Sequence, residues 1–271
     1  MRQLADCHMH TELCGHAEGT PSDMMAAIVD AGLAGAIMTE HLPLKPELDP
    51  DGTYAMRGDV DLLYVAELRD IRFDWDGLDL VIGAESDWMV EDPSWTAESV
   101  RSARANGVEV VLGSIHFLDG WAFDDPSQMA EWERRDVDRV WDLYFSEWIK
   151  AAKSGLFDVM SHPDLVKKFG HWASTPEQYY LAAAEAAAEA GIFVEVSTAG
   201  WRKPVGEQYP AEFMIRELIQ RGVGLTLASD AHHPNEVGYR LNDAADLLVR
   251  CGATHMAYPQ RDRGVRWLEL T

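Results

Sequence analysis

Seven of the ten histidines in this 271-residue chain fall at or just beyond the ends of short apolar runs. His8 and His10 sit in DCHMH, with His16 six residues further on; His41 closes TEH, His116 closes GSIH, His162 stands in MSHP and His232 in SDAHH. Two carboxylates occupy matching places, Glu85 in GAE and Asp230 in SDA. A lone histidine after a strand is more often a cap or a surface residue. His-x-His is a stronger signal, because alternate residues of an extended chain point to one side and two imidazoles then reach one ion. Imidazole and carboxylate donors together suit zinc, iron or manganese better than magnesium, which prefers oxygen.

Those side chains do chemistry only if the fold brings them together. Seven apolar runs read as strands: residues 3–7, 35–39, 80–84, 108–114, 157–161, 192–197 and 224–229. Helical patterns separate them near 22–31, 59–72, 97–106, 129–153, 176–190, 210–221 and 235–250. Thr20-Pro21 and Thr175-Pro176 are good helix starts, since proline in the first turn loses no needed N–H. Strand–helix repetition with right-handed crossovers makes a parallel sheet covered by helices. Seven such units close most simply into an irregular α/β barrel, a (β/α) barrel spanning 1–271 as one domain. Its strand ends share one face, where active sites of such barrels lie.

Nine ligands, His8, His10, His16, His41, Glu85, His116, His162, Asp230 and His232, are too many for one ion. Three divalent ions, with Glu85 bridging two, leave positions open for water and substrate. The chain carries 46 acidic and 23 basic residues, a formal charge of −23. That balance counts against nucleic-acid and anionic-membrane partners. Three divalent ions with two carboxylates and one hydroxide still leave the crater at about +3, so a phosphate dianion is welcome there. Hydrophobic residues make up 47%, ordinary for a globular chain, and no apolar run approaches the ~18 residues of a membrane span. MRQLADCHMH lacks the pattern of a signal peptide, and three cysteines without a C-x-x-C pair suit a reducing compartment; a cytoplasmic protein is the expectation.

DCHMHTELCGHAEGTPSDMMAAIVDAGLAGAIMTEHLPL resembles the opening of the PHP (polymerase and histidinol phosphatase) superfamily. VLGSIHFLDGWAFDDP, MSHPDLVKKFG and SDAHHPNEVG are similar to its monofunctional histidinol-phosphate phosphatases, so the resemblance runs from Asp6 to about Asn242. It implies a distorted seven-stranded barrel and a trinuclear metal centre. It also implies hydrolysis of L-histidinol phosphate by a metal-bridged hydroxide, in histidine biosynthesis. Carried over, His8, His10, Glu85 and Asp230 hold one ion, Glu85, His116 and His162 the second, and His16, His41 and His232 the third. Where family members place a phosphate-gripping arginine this chain has Lys168, a point charge without the bidentate fork. Arg202 matches a second family arginine, Ser86 is a plausible phosphate donor, and a water on the third ion, or Asp230 or His232, could protonate the leaving group. Asp124 and Asp125 are candidates to receive the substrate's amine or imidazole.

Other residues read more plainly. Lys167 is expected to be solvated, Cys14 to be a small buried thiol, and Trp132, Trp141 and Trp148 to be packing residues on a helix. Trp121 and Trp201 are pocket-wall candidates. The competing functions are a phosphoesterase for another small phosphate monoester, a nuclease, and a metal-binding regulator that has lost catalysis. The complete ligand set disfavours the last, and the charge disfavours the nuclease.

Overall fold

All seven expected strands form, and they hydrogen-bond in one parallel sheet. The computed structural model describes residues 2–58, 60–75 and 78–271. In chain order the elements are β1 (Ala5–Asp6), α1 (Pro21–Asp30), β2 (Gly35–His41), α2 (Val60–Asp74), β3 (Asp79–Asp87), α3 (Pro93–Asn106), β4 (Val110–Ser114) and the small hairpin β5 (Phe117–Leu118) and β6 (Trp121–Ala122). There follow α4 (Val137–Lys153), β7 (Val159–Met160), α5 (Pro176–Ala190), β8 (Phe193–Ser197), α6 (Glu212–Gln220), β9 (Leu225–Ala228), α7 (Leu241–Cys251) and a second hairpin, β10 (His255–Pro259) and β11 (Val265–Glu269). The expected second helix began at residue 59, which lies outside the described residues.

Sheet order is β1-β2-β3-β4-β7-β8-β9, so each strand lies beside its successor in the parallel series. Backbone hydrogen bonds draw the two edges together: Cys7 N–H donates to the Leu227 carbonyl at 2.9 Å, Asp230 N–H to the His8 carbonyl at 2.9 Å, and His10 N–H to the Ala231 carbonyl at 2.8 Å. The result is a nearly closed barrel, which removes the exposed edges an open sheet presents. Asp6 ties the same seam with its carboxylate, accepting from Ser229 N–H at 2.8 Å and Gly238 N–H at 2.9 Å.

Local signals set the helix ends. Thr20 and Asp23 form a reciprocal capping box with Pro21 in the first turn of α1, and Gly191 closes α5 in the left-handed conformation. The amphipathic α4 buries Val140, Trp141, Tyr144, Phe145 and Trp148 against the barrel and α5. Each such apolar side chain contributes about 1.5–3 kcal/mol when fully buried. At Gly113 in β4 a Cβ would stand 2.4 Å from the Phe157 ring, so only glycine lets that ring reach the sheet.

Two expected helices are broken. The 129–153 pattern divides into a 3-10 stretch, Pro126–Arg134, and α4, because Asp136 adopts extended backbone and caps Arg139 N–H. The 235–250 pattern divides at Arg240, whose φ of 51° cannot continue a helix. The β10–β11 hairpin was not foreseen. It packs beside β9, and the Tyr258 hydroxyl donates to the Ala36 and Asp79 carbonyls where β2 and β3 begin, closing the end of the barrel opposite the histidines.

Candidate active site and metal centre

All nine sequence-selected donors converge at the carboxyl ends of the strands. His8 and His10 follow β1, His41 and Glu85 lie at the ends of β2 and β3, His116 and His162 follow β4 and β7, and Asp230 and His232 follow β9. His8 Nε2 stands 2.9 Å from His10 Nε2 and 3.1 Å from Glu85 Oε2, and Asp230 Oδ1 lies 3.4 Å from His10 Nε2. The other Glu85 oxygen is 2.9 Å from His162 Nε2 and 3.9 Å from His116 Nε2. Glu85 thus offers one oxygen to each half of the cluster. His16 Nε2 meets His232 Nε2 at 3.1 Å, and the His10 and His41 rings stack at 4.2 Å.

This donor set fits divalent cations. Ligand atoms held about 2.05 Å from one ion lie roughly 2.9–3.4 Å apart at octahedral to tetrahedral angles, which matches the close contacts above. Among the described residues four groups of three donors lie within 4.8 Å of one another: His8–His10–Asp230, His8–Glu85–His162, His41–Glu85–His116 and His10–His41–His232. Two imidazole nitrogens facing each other at 2.9 Å cannot both carry protons, so a cation satisfies their lone pairs better.

Carboxylates stand behind the imidazoles. His8 Nδ1 is 2.8 Å from Glu195 Oε2, and Glu195 Oε1 accepts from His162 N–H at 3.1 Å. Asp87 Oδ1 is 2.9 Å from His116 Nδ1, and Glu40 Oε1 is 3.6 Å from His10 Nδ1. Glu195 and Asp87, at hydrogen-bond distance, fix tautomer and ring orientation. Burial alone would lower the pKa of His8, but Glu195, Glu85 and Asp230 outweigh it and push it well up. For His116 burial is likewise overcome, chiefly by Asp87, and its pKa rises to about 10. Burial would raise the carboxyls of Glu85 and Asp230; the surrounding imidazoles, His8 first, hold both well below the usual range. His41 goes the other way, pulled well down by burial and by His10. His162 and Asp230 also sit at positive φ, 21° and 51°, a strained backbone that surrounding contacts must hold.

Glu195, Glu40 and Asp87 were missed by sequence reasoning. The available signal was an ionisable residue inside an otherwise apolar strand, as in VEV and TEH. Glu195 and Glu40 are fully buried, and a buried carboxylate must have a partner.

The cluster opens into a cavity of about 370 Å³, lined also by Leu44, Tyr54, Phe117, Asp124, Lys168 and Lys203. Lys168 is where expected, with Nζ 2.9 Å from Asp124 Oδ2. Several other expectations are corrected. Ser86 is 2% exposed and not among the described residues lining the cavity, because Glu85 and Asp87 face inward and strand alternation turns the residue between them away. Arg202 does not line it either: its guanidinium donates to the Ser229 and Asp230 carbonyls at 2.9 and 3.0 Å, and packs over Tyr239. Lys167 is not solvated but fully buried, its ammonium held by Asp164, Glu207 and the Gln208 carbonyl at 2.8–2.9 Å. Trp121 packs against Trp132 beneath Arg135, and Trp201 lies beneath Arg240, so neither walls the cavity. Trp132, Trp141 and Trp148 are buried packing residues as expected. Cys14 is a buried thiol, its pKa pushed up to about 12 by burial and by Glu40.

Fold and site together define a (β/α) barrel of the metal-dependent hydrolase kind. The PHP domain model matches residues 6–199. A protein of Deinococcus radiodurans named "Probable histidinol-phosphatase" is 38% identical over 262 residues, which are 96% of this chain and 98% of that one. A Schizosaccharomyces pombe protein of the same name is 24% identical, covering 92% and 87% of the two chains. The Lactococcus lactis histidinol phosphate phosphatase, solved with zinc, L-histidinol and phosphate, superposes with a TM-score of 0.80 at 17% identity, over 97% of this chain and 99% of its own, and so shares the fold. This chain belongs to the PHP family, in the branch of its histidinol-phosphatases.

Proposed function

We propose that this protein hydrolyses L-histidinol phosphate to L-histidinol and inorganic phosphate, as a step of histidine biosynthesis. The observation that carries the reading is the convergence of nine donors at one end of the barrel, seven of them lining a cavity whose outer wall holds both apolar and charged groups. The 38% identity over nearly the full length of a relative named for this activity supports it. The PHP match ends at residue 199, yet Asp230 and His232 come from the loop after β9. We therefore take residues 1–271 as one catalytic domain.

Three divalent ions are assigned to the site, with zinc, manganese or iron as the candidates. His8, His10, Glu85 and Asp230 would hold one, Glu85, His116 and His162 the second, and His16, His41 and His232 the third. When bound, such ions supply Lewis acidity and lower the pKa of coordinated water towards 7. The chain's own residues do the rest. Glu195 and Asp87 keep the imidazoles oriented. Lys168 and Lys203 bring positive charge to the phosphate oxygens, where stabilisation of phosphoryl transfer has most effect. Leu44, Phe117 and Leu165 offer the apolar wall against which the imidazole ring of the substrate rests. Arg202 positions Asp230 through its backbone carbonyl. Among the described residues no helix is long and apolar enough to cross a membrane. The three free cysteines suit the cytoplasmic location that goes with this reading.

The test is phosphate release by metal-loaded protein from L-histidinol phosphate beside sugar and nucleotide monophosphates. The expected result is a kcat/KM for L-histidinol phosphate at least about a hundredfold above the others, the range that pocket contacts supply. Equal, weak activity across the panel would move the substrate elsewhere.

A further inference from the structure

Five carboxylates line the cavity: Glu85, Asp87, Asp124, Asp125 and Asp230. Four are already engaged. Glu85 and Asp230 face the imidazoles, and Asp87 holds His116 through both its ring and its backbone N–H. Asp125 accepts from Ser127 N–H at 2.7 Å, capping the turn that follows, and from the Tyr54 hydroxyl. Asp124 differs. Its one hydrogen-bond partner among the described residues is the Lys168 ammonium at 2.9 Å.

The two groups come from different loops. Asp124 follows β6, and Lys168 ends the 3-10 turn beyond His162. Their side chains are only 19% and 14% exposed, so each needs a partner charge, and without a ligand each serves as the other's. A zwitterionic ligand carries the same two charges. L-Histidinol phosphate brings a phosphate and an ammonium, and ions held by the histidine cluster would take the phosphate end. Lysine suits such an exchange, because its ammonium is a compact charge on a flexible stem, free to turn from one oxygen to another.

Resting on the functional reading above, we propose that the Lys168–Asp124 pair opens on substrate binding. Lys168 turns to the phosphate and Asp124 takes the substrate's ammonium, which makes Asp124 the residue that selects an amine-bearing ester. An ester without a cation draws Lys168 away and strands Asp124 without a counter-charge. It is therefore rejected although its phosphate fits.

The experiment compares wild type with Asp124→Asn on two esters, L-histidinol phosphate and the cation-free glycerol phosphate. Inhibition by L-histidinol and by inorganic phosphate is measured separately. Neutralising one side of a charge-assisted contact is expected to weaken L-histidinol inhibition roughly 10–100-fold. The preference for L-histidinol phosphate over glycerol phosphate falls by about the same factor, through KM more than kcat. Inhibition by inorganic phosphate holds or tightens, because Lys168 is released. Asp124→Glu restores part of the preference. An unmoved L-histidinol inhibition constant overturns the proposal, as does an equal loss on both esters with phosphate inhibition weakened alike, the mark of a merely structural pair. Wild-type protein that releases no phosphate from L-histidinol phosphate overturns the functional reading and this proposal with it; normal wild-type turnover with an unmoved Asp124→Asn preference overturns the proposal alone.

Discussion

The floor and the rim of the histidine cluster are built from the same residue type and held in different ways. On the floor His8, His10, Glu85 and His162 are all but inaccessible to water, and His8 is backed by the Glu195 carboxylate at 2.8 Å. On the rim His16 is exposed, and its Nδ1 reaches only the Cys14 carbonyl at 3.4 Å. His232 is half-buried and leans on the Asp230 carbonyl at 3.1 Å. A carboxylate behind an imidazole raises its basicity and fixes its tautomer more firmly than a neutral carbonyl does. Floor ions are therefore expected to be tightly held, and the rim ion exchangeable.

Breaking the floor at its centre gives the largest expected effect. Glu85→Ala removes the oxygens that face both halves of the cluster. Activity is expected to fall at least about a thousandfold, several kcal/mol of lost charge stabilisation, with bound metal reduced in elemental analysis. Full activity in that variant would sink the metal assignment. Next comes Glu195→Gln, which keeps a hydrogen-bond acceptor but deletes the charge behind His8. Metal affinity is expected to drop about 10–100-fold, read by chelator competition, while circular dichroism stays that of the wild type. A fall no larger than that of a surface substitution would remove the distinction between floor and rim.

His16→Ala probes the other side. The expected loss is about tenfold in apparent affinity for the most weakly held ion, restored by excess metal in a phosphate-release assay. Chelator dialysis of the wild type sharpens the same point, with one ion leaving first and the remainder together. The smallest effect is expected at Cys14, between His10 and His16. Its thiol is buried, with a pKa pushed up to about 12 by burial and by Glu40, and among the described residues it belongs to none of the groups of three donors. Cys14→Ser is expected to leave metal content unchanged and to cost stability about 1 kcal/mol, measured by urea unfolding. A lost ion would bring Cys14 into the ligand set.

The candidate donors were legible because all but His16 stand at or shortly after a strand end, and a strand end is a local feature of the sequence. Short apolar runs and Thr-Pro helix starts gave the alternation of strand and helix, and a parallel barrel gathers its strand ends on one face whatever the loops do. Substrate contacts were less legible. Lys167 and Lys168 are neighbours of identical type, yet the 3-10 turn sends one into a buried pocket with Asp164 and the other into the cavity. Arg202 and Ser86 carried the right chemistry in the right segments, and side-chain direction sent them elsewhere.

The sequence by itself determined the parallel barrel, the nine candidate metal donors and the family, since residue type and position relative to a strand end are properties of short segments. Tertiary structure alone decided which carboxylate stands behind which imidazole, that Glu195 on β8 reaches His8 beyond β1, and that Lys168 meets Asp124 across the cavity. Those pairs are separated by 187 and 44 residues, and no local pattern records a contact that only the closing of the barrel creates.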